Sequence, residues 1–109
     1  MKNLILIVIV GLVFLSIHVW AEDGEAIFSS HHCGTCHKLD TGKVNPSLKE
    51  IAQGYQGKED RLISYFKGES EPIIRPEKGA VMKRYVEKTK ALSDSDRKAL
   101  ADYLLSHKE

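Results

Sequence analysis

Two cysteines separated by only two residues, Cys33-Gly34-Thr35-Cys36, constrain this chain of 109 residues more than any other feature. They follow an export-like opening. Met1-Lys2-Asn3 is short and positive, and Leu4 to Leu15 is an unbroken apolar run of twelve residues. Val19 and Ala21 then stand at the −3 and −1 positions that suit a signal peptidase, so residues 1–21 are expected to be a signal peptide cleaved before Glu22. The run is shorter than the ~20 apolar residues of a membrane-spanning helix, although an uncleaved anchor from Leu4 to Trp20 is the alternative. Both readings put residues 22–109 outside the cytoplasm. In an oxidising compartment two cysteines ordinarily suggest a structural disulfide. Closing so small a loop removes little entropy from the unfolded chain, however. The pair points to chemistry.

Loss of the signal leaves 88 residues, enough for one domain but short of apolar surface to bury. A multidomain enzyme, a Rossmann fold and a (β/α)8 barrel are excluded by length. The whole chain carries sixteen basic and fifteen acidic side chains, and removal of Lys2 makes the count equal. No basic excess is available to bind nucleic acid. Apolar residues recur at spacings of three and four, with no alternating run that would argue for a sheet. The pattern predicts helices from Gly24 to about His32 behind an Asp23 cap, from Pro46 to Gln53 stopped by Gly54, and from Glu59 to Lys67 stopped by Gly68. Residues 39–45 and 69–79 read as loops. Helical turns are expected over Ala80–Lys88, with Val81, Met82, Tyr85 and Val86 on one face. A last helix is capped by Ser93 and runs to His107. The fold class is all-α, with four to five short helices.

His37 directly follows Cys36, which completes Cys-x-x-Cys-His, the attachment sequence for c-type haem. Two thiols three positions apart on a tight turn reach the two vinyl groups of one porphyrin and form thioethers. The next residue is carried under the iron, where its imidazole can bind. A thioredoxin-like dithiol is a rival, but that motif opens a helix after an apolar strand, and residues 23–32 are polar and helix-patterned. A zinc site is another rival, and it lacks a second well-spaced Cys/His pair. If the iron has a thioether as its other ligand, that ligand is Met82, the only methionine after residue 1. His31, His32 and His107 are the other candidates, the first two more simply surface imidazoles. Met82 could also be ordinary packing beside Val81 and Tyr85.

From about Asp23 to His107 the chain resembles a class I monohaem cytochrome c of the short, soluble bacterial kind. Gly24 and Phe28 before Cys33, then His37, Pro46 and a capped C-terminal helix with Leu100, Tyr103 and Leu104, carry the resemblance. It implies the cytochrome c fold wrapped around one covalently bound haem c, with thioethers from Cys33 and Cys36 and axial iron ligands His37 and Met82. The first and last helices would cross at Gly24 and Phe28, and the Pro46 carbonyl would accept the Nδ1 proton of His37. The chain departs from the family at Asn45, where Gly is common, and at Lys83, where Pro often follows the ligand Met. Residues 83–92 read as a helical insertion. The family often uses a Trp to hold a haem propionate, but the only Trp here is Trp20, in the signal. Tyr55, Tyr65 and Arg75 are possible substitutes.

The expected function is therefore a monomeric periplasmic electron carrier, serving respiratory-type electron transport between a donor and an acceptor protein, and not an enzyme. Membrane attachment would arise only from an uncleaved N-terminus. An apolar shell of Ile27, Phe28, Leu48, Ile51, Leu62, Ile63, Phe66 and Leu100 should keep the haem dry. Between Arg75 and Lys90 six basic residues face two acidic ones, a candidate docking patch for acidic partners. A five-coordinate haem enzyme or sensor is the alternative if Met82 only packs.

Overall fold

The computed structural model describes residues 23–108, so the expected signal peptide lies outside the described residues. Among these residues all regular structure is helical. Helix α1 spans Gly24–Ser30, and the Asp23 carboxylate accepts the Glu25 N–H at 3.0 Å to start it. It ends short of the expected His32. That residue adopts φ 59°, a left-handed conformation that no α-helix continues, and the chain turns there into a single 3-10 turn at Cys33–Thr35.

Helix α2 spans Leu48–Gly54 and α3 spans Glu59–Phe66, with turns at Gly57 (φ 72°) and Gly68 (φ 74°) after them. The expected start of α2 at Pro46 is two residues early. The Ser47 hydroxyl accepts the Glu50 N–H at 3.1 Å, so the helix begins after Ser47 and leaves Pro46 outside. A second 3-10 turn, Pro76–Lys78, leads into α4, Gly79–Lys90. Helix α5, Asp94–Leu105, starts on Ser93, whose hydroxyl accepts the Asp96 N–H at 3.1 Å, and stops two residues before His107.

Helix α4 is longer at both ends than the periodicity predicts, and tertiary bonds to its C-terminal end explain the later stop. Buried Thr89 donates its hydroxyl proton to the Phe66 carbonyl at 2.7 Å, tying α4 to α3. Arg97 of α5 is only 7% exposed. Its guanidinium donates to the carbonyls of Lys90 at 2.9 Å, Thr89 at 3.3 Å and Leu92, and to the Asp94 carboxylate. The last carbonyls of a helix need such donors, and a cation is the preferred one.

The core forms where α1 packs on α5, with α3 and α2 closing the other sides. Ile27, Phe28, Leu48, Leu62, Phe66 and Leu100 are buried, joined by Ala52, Tyr55, Ala101 and Leu104. Ile51 and Ile63, expected in the same shell, lie partly exposed at its margin. The α1–α5 crossing is close because residue 24 lacks a side chain. A Cβ there would run into the Ala99 carbonyl oxygen and lie 2.7 Å from the Tyr103 Cβ. Phe28 packs beside it on Tyr103, with ring centroids 5.4 Å apart. Gly24→Ala must therefore separate the helices. It is expected to lower stability by about 1–3 kcal/mol, the usual cost of overpacking. A thermal midpoint equal to wild type would contradict the crossing.

Candidate functional site

The chemistry-bearing residues are collected by one turn. The Cys36 and His37 amides both donate to the Cys33 carbonyl, at 3.2 and 3.0 Å, which curls Cys33, Cys36 and His37 into a single compact unit. Gly34 lies over Phe28, whose ring edge would be 3.1 Å from a Cβ at that position. The turn is thereby seated directly on the core. The Leu48 and Lys49 amides donate to the Lys38 and Leu39 carbonyls, at 2.8 and 3.3 Å, pinning the following loop to the start of α2.

That loop returns Pro46 to the motif. His37 Nδ1 lies 2.8 Å from the Pro46 carbonyl oxygen. A carbonyl can only accept, so Nδ1 carries the proton and Nε2 presents its lone pair. An imidazole oriented this way is prepared to bind a metal.

His37 faces a cleft between the motif and α4. The cleft has two adjoining lobes, and Cys33, His37, Pro46, Tyr65, Met82 and Tyr85 line both. The inner lobe is walled by Phe28, Leu62, Phe66, Leu100 and Leu104. Its largely apolar lining suits a large flat ligand. The donor set fits haem: two free thiols, an oriented imidazole and a thioether border one space. Met82 sits half-buried in the first turn of α4, and the residues read as an insertion continue the same helix to Lys90. Tyr85, one turn on, was not among the sequence candidates, although its spacing of three from Met82 places it on the same face. Val81, expected on that face, is 63% exposed.

The electrostatics argue against a reactive dithiol. Burial pushes the Cys33 thiol upward, outweighing its backbone hydrogen bond and Lys88, whereas a redox-active thiol of that class is shifted downward. Burial also pushes the Tyr65 phenol up to about 12, helped by Tyr55 and Glu71, so this wall stays uncharged at neutral pH. Among the described residues no group of three or more His, Cys, Asp or Glu side chains could hold a metal ion, as a zinc site would require.

The remaining candidates separate. His107 stands edge-on to Tyr103, with centroids 4.7 Å apart, and does not line the cleft. His32 lines the outer lobe and His31, half-buried, lines the inner one, so His31 is less superficial than the sequence suggests. Of the three residues considered for a propionate, Tyr55 is buried and its hydroxyl accepts the Ile73 N–H at 3.2 Å. Arg75 is paired with Glu50 at 2.9 Å, and Tyr65 borders both lobes.

The family profile of cytochrome c matches residues 21–108. Cytochrome c-551 of Stutzerimonas stutzeri is 42% identical over 59 residues, which cover 51% of this chain and 57% of that protein. Cytochrome c-551 of Pseudomonas aeruginosa is 33% identical over 96 residues, covering 82% of this chain and 81% of that protein. Cytochrome c-552 of Nitrosomonas europaea is 32% identical over 89 residues, with 82% of each chain covered. The profile spans the whole described fold, the attachment turn and the cleft it faces, and the chain therefore belongs to the cytochrome c family, whose members transfer electrons on a covalently bound haem c.

Proposed function

We propose that the chain is a monomeric periplasmic single-electron carrier and not an enzyme. In this reading Cys33 and Cys36 hold haem c through thioethers, and His37 and Met82 supply its axial ligands. The observation that carries the reading is the oriented His37 imidazole bordering the same cleft as the Met82 thioether. Haem, when bound, supplies an iron that alternates between Fe(III) and Fe(II). The chain's part is to hold it, fix its ligands and keep it dry. A thioether opposite an imidazole favours Fe(II) and raises the reduction potential. The wall of Phe28, Leu62, Phe66 and Leu100 acts in the same direction, because a dry site penalises the extra charge of Fe(III). With both axial positions filled from the chain, none is left for a substrate. The export-like N-terminus supports the periplasmic location.

A visible spectrum of the purified holoprotein tests this directly. Sharp bands on reduction, with a weak sulfur-to-iron charge-transfer band on oxidation, are expected. A high-spin spectrum would instead indicate an open site, and a chain purified without haem bands would leave the dithiol.

The partner-facing surface is read from charge. Lys78, Arg84 and the exposed Val81 line the mouth of the outer lobe, with Lys83 and Lys88 exposed on α4. Arg84 and Lys88 lie against the Tyr85 ring, 5.0 and 5.6 Å from its centroid. An apolar spot within a cationic rim suits a redox partner with an acidic rim. Electron exchange with such a partner is expected to slow as ionic strength rises. Lys83→Glu with Lys88→Glu should cut the rate at low salt by about tenfold or more, as lost steering does. A rate insensitive to both changes would rule out this face.

A further inference from the structure

Arg75 lines the outer lobe and bonds across to the loop that carries Pro46, and its backbone is strained there. It adopts φ 48°, a left-handed conformation costly for any residue but glycine and kept only where the surroundings enforce it. Its guanidinium donates to three places far away in sequence. Nη2 donates to Glu50 Oε2 at 2.9 Å and to the Gly42 carbonyl, Nε to Glu50 Oε1 at 3.4 Å, and Nη1 to the Lys43 carbonyl at 3.4 Å. Glu50 lies in the first turn of α2, directly after the Ser47 cap and Pro46. Gly42 is pressed against the same place, since a Cβ there would lie 2.9 Å from the Ser47 nitrogen. On its own side, Arg75 immediately precedes the turn Pro76–Lys78 that leads into α4 and Met82.

We infer that Arg75 is a positioning residue: it clamps the 42–46 loop so that the Pro46 carbonyl stays on His37 Nδ1, and joins that loop to the segment leading to Met82. The inference rests on His37 and Met82 being the axial ligands. The sequence offered Arg75 as a partner for a haem carboxylate. In the structure four of its five N–H donors go to Glu50 and two carbonyls, which is a different role. A planar fork with five donors reaches these four oxygens at once, and a lysine ammonium has only three donors on a single nitrogen.

The test uses holoprotein carrying Arg75→Lys, which keeps the charge, and separately Glu50→Gln, which leaves the arginine. Solvent exchange of the His37 Nδ1 proton is read by NMR, together with the reduction potential. Exchange should accelerate about tenfold in both variants, as expected when one charge-assisted pair stops holding the loop. The double variant should be no faster than either. In Arg75→Lys the potential should also rise, because a His37 less strongly bonded to Pro46 donates less to the iron. Lower thermal stability with unchanged exchange and potential would make Arg75 merely structural and overturn the inference. A response to Arg75→Lys with none to Glu50→Gln would also overturn it, in favour of direct pairing with haem. If the wild-type Nδ1 proton shows no shift from the iron, His37 is not a ligand, and the axial reading fails visibly before the clamp that depends on it.

Discussion

Replacing both Cys33 and Cys36 by alanine is expected to leave a chain that does not hold its helices. The cleft is why. Phe28, Leu62, Phe66, Leu100 and Leu104 complete the core on one side and line the inner lobe on the other. A haem there covers as much surface as two or three aromatic side chains, roughly 300–600 Å². At ~25 cal/mol per Å² that is about 8–15 kcal/mol of burial, as large as the whole ~5–15 kcal/mol by which a domain this small can be stable. Without thioethers the covering group is no longer tethered, and α4 is left to its links through Thr89 and Arg97 and to the Arg75 bonds just before it. Each single replacement retains one possible tether and should either mature with one thioether or mature poorly. Far-UV circular dichroism of the double variant decides the matter. A stably helical apo-protein would show that the polypeptide core suffices, and would contradict the account.

What could be read in the sequence was whatever is settled locally. Asp23 and Ser93 mark their helix starts because a cap acts within three residues, and both hydroxyl or carboxylate oxygens accept the expected amides. Ser47 does the same, but Pro46 beside it carries a competing start signal, and the cap won. The early end of α1 is not a matter of helix propensity. The turn that gathers Cys33, Cys36 and His37 demands a left-handed His32, and periodicity does not report that demand. Helix α4 extends to Lys90 because Thr89 bonds across to Phe66 and Arg97 gathers the carbonyls beyond it. Neither partnership has a local signature. The same holds for Arg75, whose partners lie 25 to 33 positions away. The sequence offered it as a charge in a basic run and as one of three possible propionate partners, and neither reading reports these bonds. Ile51 and Ile63 fit the apolar period yet end at the core margin, since period alone sets a face and not its depth.

The burial of Met82 turns its replacement into a sharp test of ligation against packing. A fully buried methionine cut to alanine costs ~2–5 kcal/mol through the cavity it leaves. Met82 lies at the first turn of α4 on the wall of the cleft, where a bound haem would cover it, so packing alone would cost stability of that order. Packing alone would also leave the iron's spectrum untouched. Ligation predicts the reverse pattern. Met82→Ala should abolish the sulfur-to-iron charge-transfer band, lower the reduction potential, and let water or added cyanide bind quickly. The fold should persist, because the thioethers and His37 lie on the motif turn and the C-terminal end of α4 is fastened by Thr89 and Arg97. The spectrum and the thermal midpoint should be measured on the same sample. Persistence of the band would give the sixth position to another residue. His107 is set against Tyr103 away from the cleft, which leaves His31 on the inner lobe and His32 on the outer one as the residues to replace next. Loss of the band with a midpoint near wild type would instead mark Met82 as a side chain held at the cleft for its sulfur.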